Sequence, residues 1–183
     1  MSIHLHHNQL IQNIFIMKTL NYLKGIILIV TSILIVGCNS DDDNDQPQLA
    51  AWELEVNQLK SATSQYSNIN TATDEGRIDV SGYVPNMGHH YLNPVLADGT
   101  FQIDHPEIIL YVPDGNGVMQ MVGIEYSIVP ADPENPSSPP EGFTGDLDEW
   151  HFNEIVGQWQ LHVWTIMENP DGLFASFNPA IGD

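Results

Sequence analysis

The sequence predicts a single α+β domain, an N-terminal amphipathic helix packed on a mainly antiparallel β-sheet, and three observations predict it. Apolar residues recur at helical spacing from Leu49 to Ile69. Two strand-like segments flank the turn Asp114-Gly115-Asn116-Gly117, and a later segment, Gln158 to Met167, alternates with the period of a strand. No internal repeat and no second domain boundary interrupts this pattern between residues 49 and 183.

The helix rests on Leu49, Trp52, Val56, Leu59, Tyr66 and Ile69, which fall on one face at steps of three, four or their multiples. Its middle, Ser61 to Ser67, is rich in Ser and Thr, which weakens propensity, and Gly76 is a natural stop. Next comes a polar cluster, Asn86 to Pro94, which reads as a structured loop because Pro85, Gly88 and Pro94 disfavour regular structure.

Ile108 to Val112 then reads as a strand, and Val118 to Val129 as its hairpin partner. The alternation puts Val118, Val122, Ile124, Tyr126 and Ile128 on one face, and Met119, Met121, Gly123, Glu125 and Ser127 on the other. In the strand from Gln158, Trp159, Leu161, Val163 and Met167 oppose Gln160, His162 and Trp164. If both strands turn their apolar faces to one core, Glu125 and His162 share the other side of the sheet. Between them, Pro130 to Gly145 is too rich in proline to be anything but a loop, of the length often given to lids.

The N-terminal residues supply an address. Lys18 and Lys24 are followed by the apolar run Ile26 to Val36 and by Ile35-Val36-Gly37-Cys38, the layout of a bacterial lipoprotein signal and similar to the lipobox of such proteins. The expected organisation is therefore an upstream misannotated start at 1–16, a signal peptide at 17–37, a lipidated Cys38 with an acidic tether at 38–48, and the domain at 49–183. His4, His6 and His7 fall in the excluded upstream segment. A membrane-spanning helix needs about 20 apolar residues, more than the run before Cys38 provides. The expectation is a lipid anchor on Cys38 in the cell envelope, at the outer membrane. The acidic run Asp41-Asp42-Asp43-Asn44-Asp45 resembles the export signals of some surface lipoproteins, which extends the expectation to surface display.

Charge excludes some partners. All 24 acidic residues follow Cys38, whereas only Lys60 and Arg77 of the basic ones do, a balance of 2 − 24 = −22. Such a chain repels phosphate backbones, so nucleic acid is not a partner. With its one cysteine assigned to lipid, the domain has no disulfide framework, and its stability must come from its core.

Nucleophilic catalysis finds no Gly-x-Ser-x-Gly elbow and no free cysteine. Asp114-Gly115-Asn116-Gly117 reads as a hairpin turn rather than the start of a calcium loop. The strongest constellation is His90, Glu125 and His162, with His89 as a fourth candidate. Imidazole nitrogens and a carboxylate suit Zn²⁺, Fe²⁺ or Mn²⁺, and three protein ligands leave an open position. The competing reading has His90 hydrogen-bonded in a tight loop, Glu125 solvated on a strand and His162 filling space beside Trp164. Tyr91 and Trp164 are candidates for stacking on a ligand, against the commoner role of aromatics as core.

The segments Gly88-x-His90-Tyr91-x-Asn93-Pro94, Val122-Gly123-Ile124-Glu125-Tyr126, Leu161-His162-Val163-Trp164 and Asn169-Pro170-x-Gly172-x-Phe174-x-x-x-Asn178-Pro179 occur in that order. Together with Asp98-Gly99 and Pro106-Glu107 they resemble an uncharacterised family of exported bacterial proteins. The resemblance covers Tyr66 to Pro179 and implies one known kind of domain without implying a reaction. The chain departs from it in ending without a cysteine and in a shorter loop before Gly88. The function expected is that of a membrane-anchored, non-catalytic domain binding a protein or small-molecule partner; the alternative is a divalent-metal-binding domain, structural or activating water, using His90, Glu125 and His162.

Overall fold

The computed structural model describes residues 48–136 and 138–182. The upstream segment, the signal peptide, Cys38 and all but the last residue of the tether lie outside the described residues. No helix among the described residues is long and apolar enough to cross a membrane.

The architecture corrects the expected α+β arrangement with its helix layer. The described residues are dominated by one six-stranded antiparallel sheet, with helix confined to short N-terminal pieces. Helix α1 runs Ala51–Thr63, a 3-10 turn follows at Ser64–Ser67, and α2 is Ile69–Asp74. The Ser/Thr stretch breaks the helix. Ser61, Ser64 and Thr63 turn their hydroxyls back onto carbonyls three or four residues earlier, and Asn68 accepts from Asn70 N to start a new helix. Gly76, at φ +87°, ends it as its sequence position suggests. Val56, Leu59 and Tyr66 supply a few residues to a buried cluster built mainly by strands and loops.

The strands are β1 (Ile78–Val84), β2 (Gly88–Leu92), β3 (Ile108–Pro113), β4 (Met119–Ile128), β5 (His151–Asn153) and β6 (Gln158–Val163), in the spatial order β1-β2-β3-β4-β6-β5. The β3–β4 hairpin sits where the alternation predicts it. The polar cluster around His90, expected as a loop, contains strand β2. Gly88 is needed at its start because it has φ +86° and a Cβ there would lie 2.5 Å from the Tyr111 carbonyl oxygen.

Each face of the sheet is buried against its own cluster. One face carries Ile109, Tyr111, Met121, Ile124, Tyr126, Leu161 and Val163; the other carries Ile108, Leu110, Val122 and Trp164. This differs from the simple alternation in β4. Leu110 pairs with Gly123 but Tyr111 pairs with Met121, so Val122 is an extra, bulged residue. It reverses the parity of the strand: Met121 joins Ile124 on the first face, while Val122 joins the second. The Val122 carbonyl accepts from Ile166 N and Met167 N, which ties the chain after β6 to the bulge. Met167 accordingly packs on the Val122 side and not with Leu161, because β6 ends at Val163.

Candidate metal centre

Glu125 and His162 are direct register partners on β4 and β6, so their side chains leave the sheet on the same face, as the alternation predicts. His90 comes from β2, where it pairs with Leu110 of β3. In a flat sheet β2 and β6 would stand about 14 Å apart, three spacings of about 4.8 Å. Instead the imidazole centroids of His90 and His162 are 6.1 Å apart, so the sheet curls around this face. His90 Nε2 lies 3.3 Å from Glu125 Oε2, and His162 Nε2 lies 3.6 Å from the same oxygen. One ligand atom from each residue lies within 4.8 Å of the others.

All three are buried, at 8%, 0% and 4% exposure for His90, Glu125 and His162. Glu125 is therefore not the solvated strand residue of the competing reading. Burial holds the imidazoles neutral, His90 down to about 4 and His162 down to about 3, the latter also under the influence of His90 and His151. Burial likewise pushes the Glu125 carboxyl up to about 8, with the nearby Glu107 carboxyl adding to the push and the Gln160 amide opposing it. Among the described residues none makes a well-formed hydrogen bond to either Glu125 oxygen or to His162 Nε2, the Gln160 amide reaching the carboxyl only weakly. Leaving such groups without partners costs about 1–3 kcal/mol each, more when charged.

Ser81 sets the orientation and tautomer of His90. Its Oγ donates to the Gly82 carbonyl at 2.6 Å and accepts from His90 N at 3.2 Å. With its one hydrogen spent, the hydroxyl can only accept from His90 Nδ1, 2.9 Å away. His90 thus carries its proton on Nδ1 and turns the Nε2 lone pair toward Glu125. An imidazole whose far nitrogen donates to an oxygen is the usual support of a metal ligand. Ser81 is presented by an irregularity in β1, where register shifts between Asp79 and Tyr83. Asp79 shapes that irregularity by accepting from Ser81 N and Gly82 N through Oδ1.

His89, the fourth candidate, is not brought to the group. Adjacent residues of a strand point to opposite faces, and its Nδ1 pairs with Asp79 Oδ2 at 2.8 Å. Tyr91 also faces away from the group, edge-on to Tyr111 at 5.1 Å, as core. Trp164 is buried with its ring stacked 5.7 Å from His162 at an angle of 16°, and its indole donates to the Ala175 carbonyl. It walls the group. His105 pairs with neighbouring Asp104 at the surface.

A cavity of about 380 Å³ opens over the group, bounded by β1 on one side and by the β5–β6 hairpin on the other. Val80, Ser81 and Val84 face Asn153, Val156 and Gln158 across it, and His90 and His162 lie among its lining. A smaller space of about 180 Å³ touches His162 from the side of His151 and Phe177. Ser81 escapes a reading by alternation because the register of β1 shifts between Asp79 and Tyr83, and Asn153 because β5 is only three residues long, whereas Gln160 shares the His162 face as the alternation predicts. The only local sign of Ser81 is the Asp79-x-Ser81-Gly82 pattern, in which an Asp precedes a turn-forming pair. The chain matches no protein-family model, no curated protein and no solved structure.

Proposed function

We propose that this domain binds one divalent first-row cation, Zn²⁺, Fe²⁺ or Mn²⁺, through His90, Glu125 and His162. The observation that carries this reading is the convergence of a carboxylate and two neutral imidazole nitrogens, all buried, with both Glu125 oxygens and His162 Nε2 lacking partners. A cation satisfies Glu125 Oε2 and the two imidazole Nε2 atoms at once, whereas without it they face one another. The spacing supports the fit: ligands about 2.1 Å from a tetrahedral ion lie about 3.4 Å apart, and the two distances to Glu125 Oε2 are 3.3 and 3.6 Å. Three protein ligands leave at least one coordination position for water or a guest, and the cavity over the group gives that position room. The lipobox-like segment ending at Cys38 adds the expectation that the site is held in the cell envelope.

Metal analysis of the full chain, purified without an affinity tag, tests the proposal. One equivalent of metal is expected, lost in His90→Ala and His162→Ala variants. A chain without bound metal, whose melting is unchanged by Zn²⁺, Fe²⁺ or Mn²⁺, overturns it.

A further inference from the structure

We infer that the cavity over the proposed ion receives a small monocarboxylate with an apolar tail, its carboxylate taking the open coordination position; this holds only if the metal reading holds. Three features of the cavity select that chemistry. The first is charge. A divalent ion with one carboxylate and two neutral imidazoles carries a net +1, which is costly to bury uncompensated. A monoanion brings the sum to zero, and a dianion reverses it. Apart from the ligands, the side chains that line the cavity are uncharged, so none of them supplies the missing charge.

The second is the apolar wall. Val80, Val84, Leu92, Ile108 and Val156 all line the cavity, and Val80 and Val156 are 51% and 52% exposed at its rim. A hydrocarbon tail laid against them removes apolar surface from water at about 25 cal/mol per Å². The third is the polar wall. Gln158 accepts from Ser127 Oγ and Gln160 accepts from Asn153 Nδ2, so the carbonyl oxygens of both amides are engaged. What Gln158 has left is N–H, which suits an acceptor-only group such as a carboxylate, while the Gln160 amide is turned toward Glu125. The volume is at the low end of small-molecule sites, which span about 300–1,000 Å³. The strongly acidic chain further favours one negative charge over several.

The test uses the full chain loaded with Zn²⁺ and titrated by calorimetry with hexanoate, hexanamide and citrate. Hexanoate is expected to bind at least tenfold tighter than hexanamide or citrate, and only when zinc is present. Val80→Asn and Val156→Asn, both at half-exposed rim positions, are expected to keep the zinc content and to weaken hexanoate at least tenfold. If zinc binds at one per chain but hexanoate binds no better than hexanamide, or the rim variants bind it unchanged, the carboxylate inference falls and the metal reading stands. If the chain takes up none of Zn²⁺, Fe²⁺ and Mn²⁺, both fall.

Discussion

The Ser81 hydroxyl accepts from both the Nδ1–H and the backbone N–H of His90, and its own proton goes to the Gly82 carbonyl. A residue on an exposed edge strand thereby fixes which nitrogen of a buried histidine is free. Removing that oxygen leaves the imidazole able to rotate or change tautomer, so Ser81→Ala is expected to weaken metal binding about 10–100-fold while leaving the fold intact. Competition against a coloured chelator measures it. Ser81→Thr, which keeps the hydroxyl, is expected to recover most of the affinity; equal affinity in Ser81→Ala would remove Ser81 from the site.

Binding to the folded chain alone should also appear as stability. At a free metal concentration 100 times the dissociation constant the gain is about 2.7 kcal/mol. Melting followed by circular dichroism is expected to rise by several degrees with metal and to fall back with a chelator. Glu125→Gln is expected to abolish that increment, because an amide lacks the charge that holds the ion between two neutral imidazoles.

Metal affinity should climb with pH. Both histidines are already neutral above about 4 and about 3, whereas the metal-free Glu125 carboxyl is held protonated up to about 8. The ion must displace that proton, so affinity is expected to increase up to about tenfold per pH unit between pH 6 and 8 and then level off. An affinity constant across this range would show that Glu125 is ionised without the metal.

Glu107 offers a second pH signature, read on stability rather than on metal affinity. Its carboxyl is buried, accepts from Ser127 N at 3.1 Å, and is pushed up to about 7, first by desolvation. A folded pKa above the unfolded one means that the native state binds the extra proton. The associated stability is fully present below about 4.5 and is lost as pH rises through about 7. Glu107→Gln keeps an acceptor for Ser127 N and removes the ionisation. It is expected to be more stable than the parent at pH 8, by on the order of 1–3 kcal/mol, and to flatten the pH dependence of denaturant unfolding between pH 5 and 8.

The ligand set was legible where residue type and period two carry the information. Glu125 and His162 each sit one step off an apolar series, and a sheet turns that offset into a shared face. His90 was legible as a residue type only, since Gly88, the polar neighbours and Pro94 disguise a five-residue strand as a loop. The helix is shorter than its apolar spacing suggests because that spacing persists across Ser61–Ser67, where hydroxyl-to-carbonyl bonds interrupt the helix without disturbing it. The depth of burial of Glu125 was not legible at all. It follows from the curl that carries β2 toward β6, a property of the whole sheet rather than of any segment.

Val122 works as a splice between two stretches of β4: ahead of it Met119 and Met121, and beyond it Ile124 and Tyr126, reach the same core. Without this one residue the ladder Tyr111–Met121, Leu110–Gly123, Ile109–Ile124 and Ile108–Glu125 closes unbroken and Glu125 keeps its face; what disappears is the carbonyl that holds the Ile166 and Met167 amides. A deletion confined to Val122 therefore spares the Glu125–His162 pairing and costs the tie to the chain beyond β6, whereas a deletion between Gly123 and Glu125 turns the carboxylate to the other face. The strand thus tolerates a change of length at one position and forbids it at the next.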